Sequence, residues 1–301
     1  MRKILKWVGI IFGVLMGLAI LAIAAIYYVT QTRLDKIYQI KVEAIAIPSD
    51  QNSRERGEHL VTTMGFCTEC HGEKLAGQVW DDGWLVGRIA VPNLTSGKGG
   101  IGSSFSDEDW VRAIRYGIGI DKKSLKVMPS NYYYKLSDGD LAAIVAYLKQ
   151  LPPSDNELPK TSIGPMARLS ILLEPSILPA QVIEYDAPRP PEPVPGVTVE
   201  YGKYLANVCT VCHGENLAGM EGPGGGKNLT PGGDLAEWSE ADFIRAVRTG
   251  VTPSGKNLDP EMMPWKSVGK FSDDELKAIW LYLRSLPAIE TPEQGSKGAS
   301  G

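Results

Sequence analysis

The chain has 301 residues, of which 43% are hydrophobic and 22% are charged, a composition that excludes global disorder and leaves room for two domains of ordinary size. Its 31 Lys and Arg residues against 35 Asp and Glu residues give a formal net charge of −4. Because nucleic-acid binders normally carry a basic excess, no nucleic-acid partner is expected. Only 4 Cys and 3 His residues are present, and their positions carry most of the functional information.

Residues 1–36 are predicted to form an N-terminal transmembrane anchor. Residues 7–29 are uncharged, and a helix of that length crosses a hydrocarbon core of ~30 Å. Three basic residues precede the run, so the positive-inside rule places the N-terminus in the cytoplasm and the rest of the chain outside the cytoplasmic membrane. A cleaved signal peptide is the alternative, because Ala22–Ala24 resembles a cleavage site. The apolar run continues past Ala24, which favours a retained anchor in contact with membrane lipid.

Three glycines lie on one face of this helix. Gly9, Gly13 and Gly17 are spaced four apart, which repeats the G-x-x-x-G pattern that allows membrane helices to approach closely. The spacing predicts a transmembrane helix partner, although glycine is common in membrane helices and chance could also produce it.

The part of the chain after the anchor is predicted to be a tandem duplication, because four blocks occur twice in the same order. The first block is CTECHGEKLAG from Cys67 and CTVCHGENLAG from Cys209, and the second is NLT from Asn93 and again from Asn228. The third is FSDEDWVRAIRYG from Phe105 and WSEADFIRAVRTG from Trp238. The fourth is LSDGDLAAIVAYLKQLP from Leu136 and FSDDELKAIWLYLRSLP from Phe271.

Each copy is predicted to be helical, so the fold class is all-α. Four serines stand three positions before an acidic residue, which is the pattern of a helix N-cap; they are Ser106, Ser137, Ser239 and Ser272. The last helix of each copy ends at a Leu-Pro pair, at Pro152 and Pro287. The Gly-rich stretches 95–104 and 219–233 are predicted to be loops. Three short helices give a thin core, so another group is expected to fill the centre of each copy.

The motif Cys-x-x-Cys-His indicates what that group is. Its two copies are Cys67, Cys70, His71 and Cys209, Cys212, His213, and no cysteine lies outside them. This spacing is typical of c-type haem attachment, in which both thiols bond to the haem and the adjacent His binds the iron. The sequence therefore predicts two covalently bound haem c groups.

Three other interpretations of these cysteines fit the pattern less well. Disulfides can form in an oxidising compartment, but they do not require a following His in both copies. A zinc ribbon uses cysteine pairs that lie close in sequence, whereas Cys70 and Cys209 are far apart. A thioredoxin-like site requires a βαβ pattern, which the sequence lacks.

With these motifs, the chain resembles a membrane-anchored di-haem cytochrome c built from tandem class I cytochrome c domains. The resemblance implies an N-terminal transmembrane helix followed by two cytochrome c-like helical haem domains, at residues 52–153 and 198–288. In that family a methionine, often followed by proline, is the second axial ligand of the iron. Met128 and Met263 occupy this place, each followed by Pro.

The repeat supports this methionine assignment. Met128 precedes Ser137, and Met263 precedes Ser272, by the same number of residues, whereas Met262 is out of register by one. The remaining histidine, His59, aligns with Tyr204 and is interpreted as a residue of the helix surface. A proximal His usually donates its other ring N–H to a backbone carbonyl, and Pro92 is the candidate acceptor for His71. The second copy has no proline there, so the acceptor for His213 stays open.

Residues 154–197 are predicted to form a Pro-rich linker with a short helix. The apolar stretch 165–178 is expected to pack on a haem domain. The alternative is that it lies on the membrane face, but its single Arg and its lack of aromatic anchors argue against this. Residues 189–195 are expected to be a stiff spacer. The ending, 289–301, is predicted to be disordered.

The resemblance implies an electron-transfer haemoprotein with no catalytic residues. We expect it to carry single electrons between respiratory or dehydrogenase partners, such as a quinol-oxidising complex, a dehydrogenase or a terminal oxidase, at the outer face of the cytoplasmic membrane. The alternative is a di-haem oxidoreductase, such as a cytochrome c peroxidase or a thiosulfate-oxidising enzyme, which also carries two attachment motifs. A peroxidase needs an iron with a displaceable ligand, and the Met-Pro pair in both copies argues against it.

Overall fold

The N-terminal region is one long helix. The structure, a computed structural model, describes residues 2–220 and 225–291, so the predicted tail lies outside the described residues from position 292 onward. Helix α1 (Arg2–Leu34) exposes its apolar side chains along most of its length. In the described part of the chain, it is the helix whose length and composition allow it to cross a membrane.

The first copy of the repeat folds around the crossing of its first and last helices. Its helices are α2 (Gln51–Thr62), α3 (Cys67–His71), α4 (Asp107–Tyr116), α5 (Ser130–Tyr133) and α6 (Asp138–Leu148). Helices α2 and α6 cross at Gly57, where an added Cβ would lie 2.0 Å from the carbonyl oxygen of Ala143. Only glycine permits so close an approach of the two backbones. This crossing holds the first and last helices of the copy together.

The second copy repeats this arrangement. Its α-helices are α8 (Val199–Leu205), α9 (Thr210–His213), α10 (Glu240–Thr249), α11 (Trp265–Val268) and α12 (Asp273–Ser285), with 3₁₀ turns at Ala206–Cys209 and Asp234–Glu237. Helices α8 and α12 cross at Gly202, where an added Cβ would lie 1.9 Å from the carbonyl oxygen of Ala278. The duplicated sequence therefore gives a duplicated helix crossing.

The predicted helix caps are confirmed. The hydroxyl of each serine accepts a hydrogen bond from the backbone N–H three residues later, at Ser106, Ser137, Ser239 and Ser272. In three of the four, the acidic side chain also accepts from the N–H of the serine, which completes a capping box. The exception is Asp140, which bonds elsewhere.

A small sheet is added to the helical fold, which the sequence pattern does not predict. Strands β1 (Gln78–Gly83) and β2 (Gly87–Val91) form an antiparallel hairpin, and β3 (Ser162–Ile163) pairs with β2. The protein is still mostly helical, as predicted. The sheet joins the first copy to the linker, because β3 directly precedes the linker helix.

The linker helix packs mainly against the anchor, with the tip of the β1–β2 hairpin at its start, rather than on the helices of a haem domain, which corrects the expectation for residues 165–178. Helix α7 (Pro165–Leu173) packs against the end of α1, where Ile171 joins Leu34 and Leu178 in a small apolar cluster. The turns that follow it, Pro175–Ile177 and Pro179–Gln181, contact the first copy instead. The short helix therefore belongs to the anchor.

The Pro-rich spacer is held against the first copy rather than standing free. Arg189 forms an ion pair with Asp138 at 3.3 Å, and the Glu192 carboxylate accepts a hydrogen bond from the Gly139 N–H at 2.6 Å. Apolar residues of the two copies belong to one continuous core cluster. The two copies therefore form one packed body in this structure.

Candidate haem sites and the interface between them

The first attachment motif forms a single helical turn. Phe66 adopts left-handed backbone geometry before α3, and Gly72 ends the turn at a φ of 78°. Cys67 and Cys70 are free thiols on this turn. His71 is buried, and its Nδ1 lies 2.8 Å from the carbonyl oxygen of Pro92, the acceptor that the sequence suggested.

The second motif also ends in a helical turn that carries a buried histidine, but this turn continues from a 3₁₀ turn and the histidine has a different acceptor. His213 is buried at the end of α9, and its Nδ1 lies 2.5 Å from the carbonyl oxygen of Lys227. This contact supplies the acceptor that the sequence had left open. Gly226 lies flat against the imidazole, since an added Cβ would lie 2.6 Å from the ring. The absence of a side chain at this position therefore allows the backbone to pack directly against the histidine ring.

Burial keeps the nitrogen and sulfur groups of both motifs neutral. It lowers the pKa of His71 and His213, although the backbone acceptor partly opposes the effect. With a proton on Nδ1, each neutral imidazole presents a lone pair at Nε2. Burial likewise raises the pKa of the Cys67 thiol to about 12 and that of Cys70 to about 11.

An asparagine after each acceptor loop fixes the loop in place. The Asn93 side-chain oxygen accepts hydrogen bonds from the N–H and hydroxyl of Thr95, while its amide donates to the Ser154 carbonyl oxygen at 2.7 Å. Asn228 makes the equivalent bonds to Thr230 and to the Ile289 carbonyl oxygen. These positioning residues were missed at the sequence level, although the repeated NLT block was the signal that marked them.

The two methionines lie in equivalent places. Met128 and Met263 are half-buried, pack against the core, and precede the one-turn helices α5 and α11. Met262 is 54% exposed, and Met64 is buried in the core. The role of Met128 and Met263 as iron ligands stays a prediction.

The donor set fits a covalently bound haem. Both motifs offer two free thiols and one imidazole on a single turn, and each imidazole has Nδ1 bonded to a carbonyl. No hydrogen bond to either Nε2 occurs within the described residues, so these lone pairs are available to a metal. Among the described residues, there is no cluster of three or more His, Cys, Asp and Glu side chains that could hold a bare metal ion.

The two attachment motifs open onto one shared cavity of about 470 Å³. Cys70 and Cys212, the second cysteine of each motif, both line it. So do Pro129 and Pro264, each of which follows one of the two methionines. The haem-attachment side of one copy therefore faces that of the other across this space.

Reciprocal polar contacts frame the cavity. The Asn207 amide, just before the second motif, donates to the carbonyl oxygen of Tyr132 in α5 at 3.3 Å. In the opposite direction, the Ser267 hydroxyl in α11 donates to the Glu69 carboxylate within the first motif. The methionine-loop helix of each copy thus contacts the attachment motif of the other, as expected for a pseudo-twofold pair.

A second reciprocal set joins the first helix of each copy to the last helix of the other; we call it the interdomain clasp. Its members are Arg56, His59, Asp140, Tyr204 and Glu275. The Arg56 guanidinium binds both oxygens of Asp140 at 2.9 Å and lies 3.3 Å from Glu275. His59 Nε2 lies 2.8 Å from the Glu275 carboxylate, and the Tyr204 hydroxyl donates to Asp140 at 2.8 Å.

The clasp corrects the interpretation of His59 as a plain surface residue. His59 and Tyr204 are equivalent positions of the repeat, and each bonds to a carboxylate on the last helix of the other copy. Burial alone would raise the pKa of Glu275, but hydrogen bonds from His59 and from the Ser272 N–H, together with the charge of Arg56, lower it to about 2. The carboxylate is therefore charged at neutral pH.

Comparison with known proteins agrees with this geometry. Residues 54–152 match the family model described as cytochrome c, and residues 201–283 match the model described as cytochrome c oxidase, cbb3-type, subunit III. A protein named diheme cytochrome c-type from Cereibacter sphaeroides is 27% identical to this chain; the alignment covers 78% of this chain and 86% of the relative.

Two other relatives are named as subunits of dehydrogenases. The fructose dehydrogenase cytochrome subunit of Gluconobacter japonicus is 27% identical, over 76% of this chain and 52% of the relative. The alcohol dehydrogenase (quinone) cytochrome c subunit of Gluconobacter oxydans is 27% identical, over 82% of this chain and 57% of the relative. The chain therefore spans little more than half the length of these two relatives.

Proposed function

Because the chain is a di-haem cytochrome c with two cytochrome c domains in tandem, we propose that it carries single electrons from a dehydrogenase or quinol-oxidising partner to a downstream acceptor at the outer face of the cytoplasmic membrane. The chain is an electron-transfer component and not itself a catalytic enzyme, in keeping with its relatives, which are named as cytochrome subunits.

The side chains of each domain would hold one haem c. The cysteines form the thioether bonds, at Cys67 and Cys70 in the first domain and at Cys209 and Cys212 in the second. The axial ligands would be His71 with Met128, and His213 with Met263. When bound, each haem supplies a one-electron carrier whose iron has no open position for a substrate. The carbonyl oxygens of Pro92 and Lys227 orient the two imidazoles.

The shared cavity is the observation that carries this proposal. Because Cys70 and Cys212 line the same space, groups attached to them lie on facing sides of one interface. The contacts of Asn207 with Tyr132 and of Ser267 with Glu69 hold that interface together. We therefore expect direct electron exchange between the two domains, with one domain receiving electrons and the other delivering them.

The N-terminal helix would confine this transfer to a membrane surface. Helix α1 is uncharged over residues 7–29, and the basic residues at its start favour a cytoplasmic N-terminus. The dehydrogenase partner is proposed from the names of the relatives, which are described as dehydrogenase cytochrome subunits.

Ligand binding and redox titration of the purified full chain test the proposal. We expect two one-electron transitions and no binding of carbon monoxide by the untreated reduced protein, because His and Met ligands would leave neither iron open to it. The Met128→Ala variant is the positive control, since it should open one site and bind carbon monoxide there. Binding by the untreated protein would contradict the proposal and favour a di-haem peroxidase.

A further inference from the structure

We infer that an apolar surface beside the anchor is seated in the outer leaflet of the bilayer, and that it fixes how the first haem domain stands on the membrane. We call it the membrane seat; its residues are Trp84, Leu85, Met166, Leu169 and Leu173. The inference rests on the anchoring role proposed above for α1. It concerns a surface that neither electron transfer nor haem binding uses.

The seat is strongly exposed for so apolar a surface. Trp84 is 81% exposed, the highest value among the large hydrophobic side chains outside α1 in the described part of the chain, and Leu173 is 72% exposed. On α7, Met166, Leu169 and Leu173 follow helical spacing and share one face. The opposite face carries Ile171, which is buried against the anchor. A helix with apolar side chains on both faces needs an apolar neighbour on each.

Polar contacts fix α7 alongside the outer end of α1. The Arg168 guanidinium donates to the Thr30 hydroxyl at 2.9 Å and to the Gln31 side chain at 3.0 Å, and it lies over the ring of Tyr27 at 4.4 Å. In return, Arg33 donates to the Ile171 carbonyl oxygen at 2.8 Å.

These contacts set the direction and the level of α7. Arg168 pairs with Thr30, and three residues later Ile171 pairs with Arg33, so the two helices run in the same direction. The start of α7 therefore points back toward the apolar part of α1, whose uncharged run ends at position 29. Met166 is thus level with the last apolar turn of the anchor, where the hydrocarbon gives way to the headgroups.

The tip of the β1–β2 hairpin is fixed at this membrane-facing end of α7. The Met166 N–H donates to the Leu85 carbonyl oxygen, and the Gly164 N–H donates to the Val86 carbonyl oxygen, both at 2.8 Å. An added Cβ at Gly164 would lie 2.4 Å from the Leu85 oxygen, so the glycine allows the tip to rest directly on the helix. Trp84, beside Leu85 at the tip, is held at the same level.

The lipid interface is the occupant that suits this surface. The seat continues the exposed apolar surface of α1, so a bilayer that surrounds the anchor reaches it without a further partner. Tryptophan favours the headgroup region, and α7, which runs alongside α1, turns its exposed apolar face toward the lipid around the anchor. The aromatic anchor that the α7 sequence lacks is provided by Trp84 of the hairpin.

Lipid photolabelling of the full chain in vesicles tests the inference. The probe is a phosphatidylcholine that carries a photoreactive group near the top of its acyl chain, and the labelled residues are mapped by mass spectrometry. We expect the peptides of Trp84 and of α7 to be labelled at least roughly threefold more than the peptide of Val194, which is 80% exposed and belongs to the spacer held against the first copy.

Labelling of α1 separates the two proposals. If α1 is labelled and the seat is labelled no more than Val194, the seat inference is wrong and the anchor stands; if α1 is unlabelled, the anchor proposal fails. In the Trp84→Glu and Leu173→Glu double variant, labelling of the seat should fall while that of α1 is unchanged, and Val194→Glu is the matched control. A third result also overturns the inference: the seat is unlabelled in vesicles of pure lipid, yet it is protected from hydroxyl radicals in native membranes. That result would show that a protein partner covers the seat.

Discussion

Replacing Glu275 by glutamine tests the interdomain clasp through its charge alone. The glutamine oxygen can still accept from the Ser272 N–H, so the helix cap is kept, whereas the charge beside His59 and Arg56 is removed. The difference between an ordinary pKa of 4.5 and about 2 corresponds to roughly 3 kcal/mol of folded-state stability at neutral pH. Arg56 and His59 are each more than a quarter exposed, so water compensates for part of the lost interaction. We therefore expect Glu275→Gln to lower the free energy of unfolding by about 2 kcal/mol.

The pH dependence of the loss follows from the sign of the pKa shift. A carboxyl group whose pKa is lowered by folding stabilises the protein above its unfolded pKa, and this stabilisation disappears as the pH falls from about 4.5 toward 2. Urea denaturation followed by far-ultraviolet circular dichroism should therefore show wild type and Glu275→Gln converging over that range. The control is Asp274→Asn, on a neighbouring side chain that is 75% exposed, with an expected change within about 0.5 kcal/mol. Equal stability of Glu275→Gln and wild type at pH 7, or a gap that persists unchanged at pH 3, would refute the reasoning.

Three further predictions concern the haem sites and the anchor. Met128→His should lower the reduction potential of one haem and leave the other nearly unchanged in a redox titration, while Met262→Leu should shift neither; equal shifts at both haems would mean that the ligand assignment is wrong. Gly226→Ala should destabilise the second domain by about 2 kcal/mol in thermal unfolding, because its Cβ would meet the His213 ring at 2.6 Å, and an unchanged melting curve would contradict this. Gly13→Leu should reduce co-purification of membrane partners, and unchanged recovery would count against a helix partner.

The sequence predicted the helices and motifs well, because the repeat allows each position to be checked against its counterpart. The serine caps are an example, since the same Ser and acidic pair occurs at four helix starts and each serine hydroxyl accepts the same backbone hydrogen bond. The acceptor for His71 was also predictable, because Pro92 precedes the repeated NLT block.

The features that the sequence did not predict depend on contacts between distant segments. Among the described residues, the β1–β2 hairpin of the first copy has no counterpart in the second, so the repeat gave no signal for it, and its third strand comes from the linker. His59 looked like a surface residue because its partner, Glu275, is more than 200 positions away. The predicted packing of α7 on a haem domain was wrong because an apolar nine-residue helix fits either a haem domain or the anchor. The contacts of Arg168 and Arg33 with the other helix decide between the two.

The most direct test of the central claim is the covalent haem content of the full chain, expressed with a working haem-maturation apparatus and measured by intact mass and by the pyridine haemochrome spectrum. The account predicts a mass that exceeds that of the polypeptide by two haems. It predicts one haem when Cys67 and Cys70 are replaced by alanine, and one when Cys209 and Cys212 are replaced. A colourless chain of unmodified mass, or one that carries zinc in place of haem, would contradict it.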